Sequence, residues 1–396
     1  MNKNYDIVIV GGGLVGATLA NTLHKLPIKI ALVDALPLEK NTSQTYDARS
    51  VALAYGSQRI LASMNLWASI KNHATAIKKI HISDQGHFGI TRLTAKEGKV
   101  DALGYVVEIF QLGSVLLENL QSQNNITLLQ PATITSLKFI EKKWQIDIVR
   151  NGVIEPLNAS LVIAADGVNS TVRRLLNIFA ENYDYQQSAI VANVTTDLAH
   201  QNVAYERFTK NGPLAFLPLS DNRSAIVWTV ANEQVAEIMG LSDEKFLERL
   251  QRIFGYRLGR LNYVGKRQAF PLRLLYTKEQ VKSGLVVLGN AAHNLHPIAG
   301  QGFNLCLRDV AVLAKTIFTA YTQQENFAAL SVLQKYAAVR YQDQQQMIKC
   351  TDGLVKLFSN DFFPINLARN LGLTAMNFLP PLKQLVARRA MGFNHA

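Results

Sequence analysis

Compact runs of apolar residues, separated by turns that contain glycine, dominate the start of this 396-residue chain. Residues 5–10 predict a buried strand, residues 14–26 a helix and residues 28–33 a second strand. This order of strand, turn, helix and strand indicates parallel pairing through a right-handed crossover. Residues 161–165 and 285–288 predict two further buried strands.

The middle of the chain changes to strand after strand without helices, from residue 189 to residue 230. Residues 214–219 and 224–230 flank a polar turn and predict a hairpin. A helix is predicted at residues 243–254, with Ser242 as its N-cap. The chain therefore predicts a mixed α/β and α+β fold, in which parallel segments from both ends enclose an antiparallel insert.

Gly11, Gly13 and Gly16 have the G-x-G-x-x-G spacing immediately after the first predicted strand. The first glycine permits a tight turn, the second lets the backbone approach a pyrophosphate, and the third lets the helix pack on the strand. The helix N-terminus offers free N–H groups to that anion. Asp34 ends the second strand, where a carboxylate accepts hydrogen bonds from an adenosine ribose. Because this motif opens the chain and no second copy follows, it predicts FAD rather than NAD.

Composition and charge exclude several other classes of protein. Cys306 and Cys350 are too few for a disulfide framework and match no metal-ligand spacing, which fits a reducing cytoplasm. His293 and His296 lack further ligands, so no metal site is predicted. The net charge of +12 attracts anions, yet no nucleic-acid-binding motif is present. No signal peptide or membrane-spanning stretch is predicted.

Two more motifs follow predicted strands. Residues 166–173 read Asp-Gly-Val-Asn-Ser-Thr-Val-Arg, and residues 289–304 begin Gly-Asn-Ala-Ala-His and end His-Pro-Ile-Ala-Gly-Gln-Gly-Phe-Asn. With the first motif they resemble the three successive fingerprints of the class A flavoprotein aromatic hydroxylases, whose type member is p-hydroxybenzoate hydroxylase. The resemblance covers the chain up to about residue 345. It implies a Rossmann-like, discontinuous FAD-binding domain with an inserted antiparallel-sheet substrate domain and a helical C-terminus.

In that family the Asp-Gly segment lies near the FAD pyrophosphate and takes part in NAD(P)H binding. The third motif usually reads Gly-Asp, with the aspartate on the flavin ribityl hydroxyls, whereas this chain has Asn290. Backbone N–H groups after Gly300 are suited to the negative charge of reduced flavin. The expected cofactor contacts are Gly11, Gly13, Leu14, Val15, Gly16, Asp34, Arg49, Gln111, Asp166, Gly167, Asn290, Gly300, Gln301, Gly302 and Asn304.

Residues 206–209, Glu-Arg-Phe-Thr, and 212–215, Gly-Pro-Leu-Ala, resemble the ubiquinone-biosynthesis branch of the family. This branch implies hydroxylation of the ring of a polyprenylated methoxyphenol by FAD, with NAD(P)H and O2 as co-substrates, through a C4a-hydroperoxyflavin. His296 and Pro297 match the family loop beside the isoalloxazine ring and are the candidate catalytic residues. A structural hydrogen bond is the alternative role for His296.

The inserted sheet is expected to form the far wall of the substrate pocket. Leu214, Phe216, Pro218 and Trp228 are candidates to line it, with ordinary packing in the sheet core as the alternative. The resemblance implies an FAD-binding domain of residues 1–75, 100–180 and 277–350, a substrate domain of residues 76–99 and 181–276, and a helical basic region of residues 351–396.

Residues 362–396 contain basic and apolar residues and no acidic residue. They predict either peripheral contact with the inner face of the membrane, which suits a polyprenyl lipid substrate, or a helix packed on the main body. The expected location is cytoplasmic, with other quinone-biosynthesis proteins as candidate partners. Three other functions stay open: a sister hydroxylase acting at another ring position or on a small phenol, a non-catalytic flavin-binding subunit, and a membrane-surface protein without flavin.

Overall fold

The computed structural model describes residues 3–36, 49–358, 370–375, 377 and 379–392. Strands are numbered β1 to β20 and α-helices α1 to α11 in chain order. The strands are Lys3–Val10, Ile30–Val33, Ser50–Ala54, Ala74–Ile77, Lys79–Asp84, Ile90–Thr94, Gly104–Glu108, Ile126–Leu129, Thr133–Ile140, Lys143–Arg150, Val153–Ala164, Glu181–Thr196, Val203–Thr209, Gly212–Pro218, Arg223–Ala231, Leu261–Val264, Gln268–Tyr276, Val281–Lys282, Leu285–Val287 and His293–Asn294. The helices are Leu14–Leu23, Tyr55–Ser63, Trp67–Ile70, Ala95–Gly98, Ile109–Gln121, Thr171–Leu175, Asn232–Met239, Asp243–Phe254, Gln301–Thr322, Leu330–Phe358 and Pro380–Ala390.

An eight-stranded sheet contains the predicted strand–helix–strand unit, with the order β18-β19-β11-β1-β2-β8 and the β9–β10 hairpin attached to β11. The pairs β19/β11, β11/β1, β1/β2 and β2/β8 are parallel, as predicted. Residues 7–10 are buried on both faces of the sheet, which explains their continuous apolar run. Helix α1 ends at Leu23 rather than near residue 26 because Pro27 disfavours helical backbone in the residue before it.

A nine-stranded, largely antiparallel sheet forms the predicted insert, in the order β20-β17-β12-β15-β14-β13-β5-β6 with β16 beside β12. The predicted hairpin is β14–β15, and its turn residues Asp221 and Asn222 have positive φ. The face covered by α7 and α8 is called the outer face, and the opposite face, which packs on β4 and β7, the inner face. Ser242 caps α8 by accepting a hydrogen bond from the Lys245 N–H, as predicted.

A three-stranded sheet, β3-β7-β4, lies between the two large sheets and was not predicted from the sequence. Ile77 and Val106 of this sheet pack on the inner face of the insert. The Arg223 guanidinium reaches across to the Glu108 carboxylate at 2.9 Å, with both side chains largely buried. The small sheet therefore joins the insert to the rest of the molecule.

The described part of the basic C-terminal region packs on the main body. The Asn370 amide bonds the Asp84 carboxylate at 3.0 Å, and the Met391 carbonyl accepts from the Gly56 N–H at 2.8 Å. Pro380 begins α11. No helix in the described parts of the chain is long and apolar enough to cross a membrane.

Candidate active site

The carboxyl ends of neighbouring parallel strands bring the three motifs together. Gly11, Asp166 and Asn290 follow β1, β11 and β19, which lie side by side in the eight-stranded sheet. Gly11 donates its N–H to the carbonyl oxygen of Val33 at 2.8 Å, which places it beside the end of β2, where Asp34 lies. Crevices at this edge of parallel sheets are where ligands bind.

Two glycines of the first motif are required by close backbone contacts. A Cβ at Gly11, whose φ is +104°, would lie 2.3 Å from the carbonyl oxygen of Ala165. A Cβ at Gly16 would lie 1.9 Å from the carbonyl oxygen of Gly11. Both distances are far below van der Waals contact, so no side chain fits at either position. These two glycines therefore pack α1 closely against β1 and the second motif.

Gly13, Gly167 and Gly302 instead border open space, because a Cβ at any of them would meet no atom within 4 Å. Helix α1 begins at Leu14 with no capping side chain and no acidic residue in its first turn. Its first N–H groups and the positive end of its dipole are thus available to an anion. This open cradle beside a helix N-terminus fits the pyrophosphate of FAD.

The Asp34 carboxylate is oriented by the backbone of its own loop. It accepts hydrogen bonds from the N–H of Gly12 at 2.5 Å and from the N–H of Leu36 at 2.7 Å. Each carboxylate oxygen keeps a further lone pair for another donor. Its contact with an adenosine ribose stays a prediction.

The second motif presents an unused carboxylate oxygen beside a buried cation. Oδ2 of Asp166 accepts from the Val172 N–H at 3.1 Å, whereas Oδ1 is buried and has no hydrogen-bond partner among the residues that the structure describes. Burial lowers the pKa of Arg173, and Asp166 opposes this shift. Arg173 stands in the quoted motif but was not predicted as a contact. A buried acceptor without a partner costs free energy, so Asp166 Oδ1 is suited to a ligand hydroxyl.

The Asn304 side chain connects the loop before α9 to β3 by hydrogen bonds. The Asn304 amide donates to the carbonyl oxygens of Ala52 at 2.8 Å and Gly300 at 2.7 Å, and it accepts from the Ala54 N–H at 2.8 Å. Gly300 caps α9 with left-handed backbone at φ +61°. Both N–H groups of Asn304 are thus used within the chain. The predicted cofactor contacts of Gln301 and Asn304 stay predictions.

Asn290 lies exposed at the start of the third motif. Its Oδ1 accepts the S–H of Cys306 at 3.6 Å. Burial, together with Asp309, raises the pKa of the Cys306 thiol, which keeps it protonated and able to donate. This bond leaves the amide N–H groups of Asn290 for a ligand.

Arg49 and Gln111, predicted from the resemblance, lie close together beside β3. The Arg49 carbonyl oxygen accepts from the N–H of Ile109 at 3.1 Å. Ile109 begins α5, and Gln111 lies in the first turn of that helix. The structure therefore brings these two residues to one place, and their cofactor contacts stay predictions.

His296 is completely buried in the loop between the third motif and α9. Its Nδ1 accepts from the Ile298 N–H at 3.3 Å, and its ring meets Tyr185 edge-on at a centroid distance of 5.2 Å. Nε2 has no hydrogen-bond partner within the described residues. Burial lowers the pKa of His296 to about 4, so its imidazole is neutral at pH 7. Pro297 precedes the short turn of residues 298–300.

We expect His296 to weaken the fold as the pH falls from 6.5 to about 4. Between these values the ring is protonated in the unfolded chain but neutral in the folded one, so stability is full above pH 6.5 and is lost below it. The shift corresponds to on the order of 3 kcal/mol. Urea unfolding at pH 7 and pH 4 should show a smaller acid loss for His296→Gln than for the wild type. Equal losses would contradict the prediction.

His293 belongs to a buried ion network. Its Nε2 lies 2.5 Å from Asp309, which also binds the Arg340 guanidinium at 2.6 Å. Arg308 and Arg340 both pair with Asp343, at 2.8 Å and 2.5 Å. In the part of the chain that the structure describes, no group of three His, Cys, Asp or Glu residues is arranged to hold a metal ion. The network fastens the third motif to α9 and α10.

The residues predicted to line the substrate pocket lie on the outer face of the insert, which α7 and α8 cover. Leu214, Phe216 and Trp228 are buried in the outer-face core with α7 and α8, where Phe216 stacks on Phe254 at 3.8 Å. Pro218 is buried too, and strand alternation places it on the same face. The structure therefore shows the packing role that the sequence left open as the alternative, and a place for these residues in a substrate-pocket wall stays a prediction. Packing against the helices of the insert explains their apolar character.

The inner face carries apolar side chains that sequence reasoning missed. Val191 and Val227 are paired across β12 and β15, and Leu217 is on the neighbouring β14. All three side chains are partly exposed, although most neighbouring residues of the same strands are buried. Both faces of β14 are apolar, so alternation offered no signal to tell inner from outer positions. These residues are the better candidates for a pocket wall.

The family model for the FAD binding domain matches residues 4–351. Ubiquinone hydroxylase UbiL of Rhodospirillum rubrum is 37% identical over 393 residues, which are 99% of this chain and 90% of that protein. The 3-demethoxyubiquinol 3-hydroxylase of Escherichia coli is 30% identical over 392 residues, 99% of each chain. The crystal structure of p-nitrophenol 4-monooxygenase PnpA from Pseudomonas putida has a TM-score of 0.82 at 15% identity and covers 99% of each chain, which shows a shared fold.

Proposed function

The chain belongs to the FAD-binding-domain family, and from this premise we propose that it is an FAD-dependent monooxygenase that hydroxylates the ring of a polyprenylated methoxyphenol in ubiquinone biosynthesis. One observation carries the proposal. The identity to ubiquinone hydroxylases extends over 99% of the chain, so it includes the nine-stranded sheet as well as the cofactor motifs. Cofactor motifs alone would support flavin binding and say nothing of the substrate.

FAD, reduced by NAD(P)H, supplies the activation of O2 in this class of monooxygenase. The residues of this chain bind, orient and shield the reactants. The first turn of α1 and the open space at Gly13 would hold the pyrophosphate, and Asp34 would accept from the ribose. Asn290, whose oxygen accepts from the Cys306 thiol, would donate its amide N–H groups to the ribityl chain.

Helix α9 would stabilise negative charge on the reduced flavin. It is 22 residues long, follows the left-handed Gly300 and has no acidic residue in its first turn. The N–H groups of that turn and the positive end of the helix dipole favour an anion. Such fixed donors stabilise charge without reorganising during the reaction. The open space at Gly302 leaves room for the N1–C2=O edge of the ring system.

The inner face would orient the substrate and exclude water. Val191, Leu217 and Val227 offer a partly exposed apolar surface to an aromatic ring. Exclusion of water from such a site protects reactive oxygen species from side reactions. The neutral His296 keeps one buried ring nitrogen, Nε2, without a partner in the described residues. Because Nδ1 accepts from the Ile298 N–H, Nε2 carries the proton, and we place the phenol oxygen as the acceptor of its hydrogen bond.

Mass spectrometry of the lipid quinones in cells that lack this protein tests the proposal. We expect 2-polyprenyl-6-methoxyphenol to accumulate, and the wild-type gene to relieve the accumulation. A Gly13→Val copy should fail to relieve it, because its side chain would fill the pyrophosphate site. A Gly353→Val copy, altered at an exposed glycine of α10, is the matched control and should restore the quinone. An unchanged quinone pool in the deletion strain would contradict the proposal.

A second candidate is hydroxylation at a neighbouring ring position. The identity to the 3-demethoxyubiquinol 3-hydroxylase, over 99% of each chain, favours it. Accumulation of a later, demethoxy intermediate in the same experiment would select this step. Turnover itself is tested by anaerobic addition of NADPH or NADH to the purified flavoprotein. Bleaching of the flavin supports an enzyme, and a bound flavin that neither nucleotide reduces supports a non-catalytic subunit.

A further inference from the structure

A cluster of cationic side chains lies on the outer face of the insert, beyond the edge of its helical cover. Arg92, His81 and Tyr205 are directly opposite one another on the adjacent strands β6, β5 and β13. Arg207 follows Tyr205 by two residues and therefore shares its face. Tyr205 packs on the core under α8, which identifies this face as the outer one. Residues opposite each other on paired strands lie about 5 Å apart, so these side chains form one group.

Arg257 completes the cluster from the segment after α8. Its guanidinium donates to the carbonyl oxygen of Phe254 at 3.2 Å, close to the Tyr205 ring that stacks edge-on against Phe254. The His81 ring lies 5.7 Å from the Tyr205 ring. The Tyr205 ring therefore lies beside the His81 imidazole and near the Arg257 guanidinium.

Two buried side-chain nitrogen atoms in this cluster lack hydrogen-bond partners among the described residues. His81 Nε2 and Arg207 Nε are both inaccessible to solvent and make no hydrogen bond within the described residues. A buried charged group without a hydrogen-bond partner carries a desolvation cost that a bound counter-charge would remove. The cluster thus has unused donors in addition to unbalanced charge.

No acidic side chain on these strands balances the charge on this face. Along β5, β6 and β13 the outer-face positions hold Lys79, His81, Arg92 and Arg207 but no Asp or Glu. Asp84 points to the inner face, where it accepts from Asn370.

The positive charges of the cluster repel one another. Burial and the nearby Arg257 lower the pKa of Arg207, against a smaller opposing effect of Asp84. Burial and then Arg257, Arg92 and Arg207 lower the pKa of His81 to about 4. The repulsion within this group therefore exceeds the attraction that the chain supplies.

We propose that His81, Arg92, Arg207 and Arg257 form a binding site for a phosphate group. Guanidinium groups present paired N–H donors that match phosphate oxygens, and several of them around one anion cancel its charge. The neutral imidazole and the Tyr205 hydroxyl add donors for the remaining oxygens. The phosphate is carried either by a diffusible nucleotide or by a lipid headgroup. This site is separate from the flavin crevice, and it does not depend on the proposed reaction.

The thermal stability of the full-length protein saturated with FAD, in phosphate and in chloride at equal ionic strength, tests the site, because bound FAD would fill the anion cradle at α1. A ligand that binds the folded state raises Tm by mass action. We expect phosphate to raise Tm for the wild type. Arg252→Gln is the control and should show the same rise, because Arg252 is an exposed arginine of α8 outside the cluster. Arg92→Gln, altered at an exposed strand position, should lose the response and bind pyrophosphate roughly tenfold or more weakly in calorimetry. Equal responses in Arg92→Gln and the wild type, or no response in the wild type, would overturn the proposal.

Arg207→Met gives a second readout that a purely structural arginine would not show. In chloride this variant should melt no lower than the wild type, because it removes a desolvated cation whose Nε has no hydrogen-bond partner in the described residues, and it should lose the phosphate response. Retention of the full phosphate response by Arg207→Met would count against the site.

The carrier of the phosphate is identified by two further measurements. Binding of NADP⁺ in preference to NAD⁺ selects a nucleotide 2′-phosphate, and sedimentation with phosphatidylglycerol vesicles but not phosphatidylcholine vesicles selects an anionic lipid. In either case Arg92→Gln should remove the preference and Arg252→Gln should keep it. A preference that survives in Arg92→Gln would show that the phosphate binds elsewhere.

Discussion

Gly13→Val should release FAD while leaving the fold intact. A Cβ at this position meets no atom within 4 Å, and the backbone there is extended, at φ −65° and ψ −177°, which valine readily adopts. The added side chain would instead occupy the space of the cofactor pyrophosphate. We expect FAD binding to weaken at least about hundredfold, or by about 2.8 kcal/mol, with loss of hydroxylation. Titration with FAD, followed by flavin fluorescence, measures the affinity, and circular dichroism of the apoprotein checks the fold.

Gly16→Val provides a contrast, because it should lose FAD binding through destabilisation of the fold and not through filling of the pyrophosphate site. Its Cβ would meet the Gly11 carbonyl oxygen at 1.9 Å, and two backbone segments cannot separate without breaking the packing of α1 on β1. Overpacking against backbone costs about 3 kcal/mol or more. We therefore expect an unstable protein, whereas Gly353→Val should resemble the wild type. If Gly13→Val retained the wild-type affinity for FAD, the assignment of the pyrophosphate site would be wrong.

Asp309→Ala should cause one of the largest losses of stability in this chain. The carboxylate is completely buried and holds His293 at 2.5 Å and Arg340 at 2.6 Å. Burial opposes its ionisation, but His293 and Arg340 together lower the pKa of Asp309 to about 2. Removing one member of such a network leaves the remaining charges buried and costs about 3–5 kcal/mol. Urea unfolding at pH 7 measures the loss.

The Asp309 carboxylate also predicts how the stability of the protein falls at low pH. The folded pKa of Asp309, about 2, lies below its ordinary value of 3.8, so its contribution to stability is present above pH 3.8 and is lost as the pH falls towards 2. Glu248→Gln, which breaks an exposed pair with Arg252, is the matched control and should change stability by less than about 1 kcal/mol. A loss for Asp309→Ala no larger than for this control would show that the network does not stabilise the third motif.

Local sequence patterns were sufficient for the flavin crevice. The glycine spacing, the strand before it and Asp34 each depend on residues close together in the chain, and the carboxyl ends of neighbouring parallel strands necessarily meet at one edge. The Asp-Gly and Gly-Asn segments also follow predicted strands, so their approach to Gly11 followed once those strands were parallel. Ser242 and the hairpin of β14 and β15 were predicted for the same local reasons.

The pocket wall, the small sheet β3-β7-β4 and the basic cluster were decided only by the tertiary structure. Strand β14 is apolar on both faces, so the choice between Leu217 and Phe216 as pocket residues depends on which face meets α8. The cluster needs Arg257, which lies about fifty residues beyond Arg207 and is placed by the packing of α8. By itself, therefore, the sequence determined the flavin edge, because its contacts follow from local backbone geometry and parallel pairing. The assignment of sheet faces and the meeting of distant side chains required the packed structure, because alternation within a strand does not say which face the rest of the chain will cover.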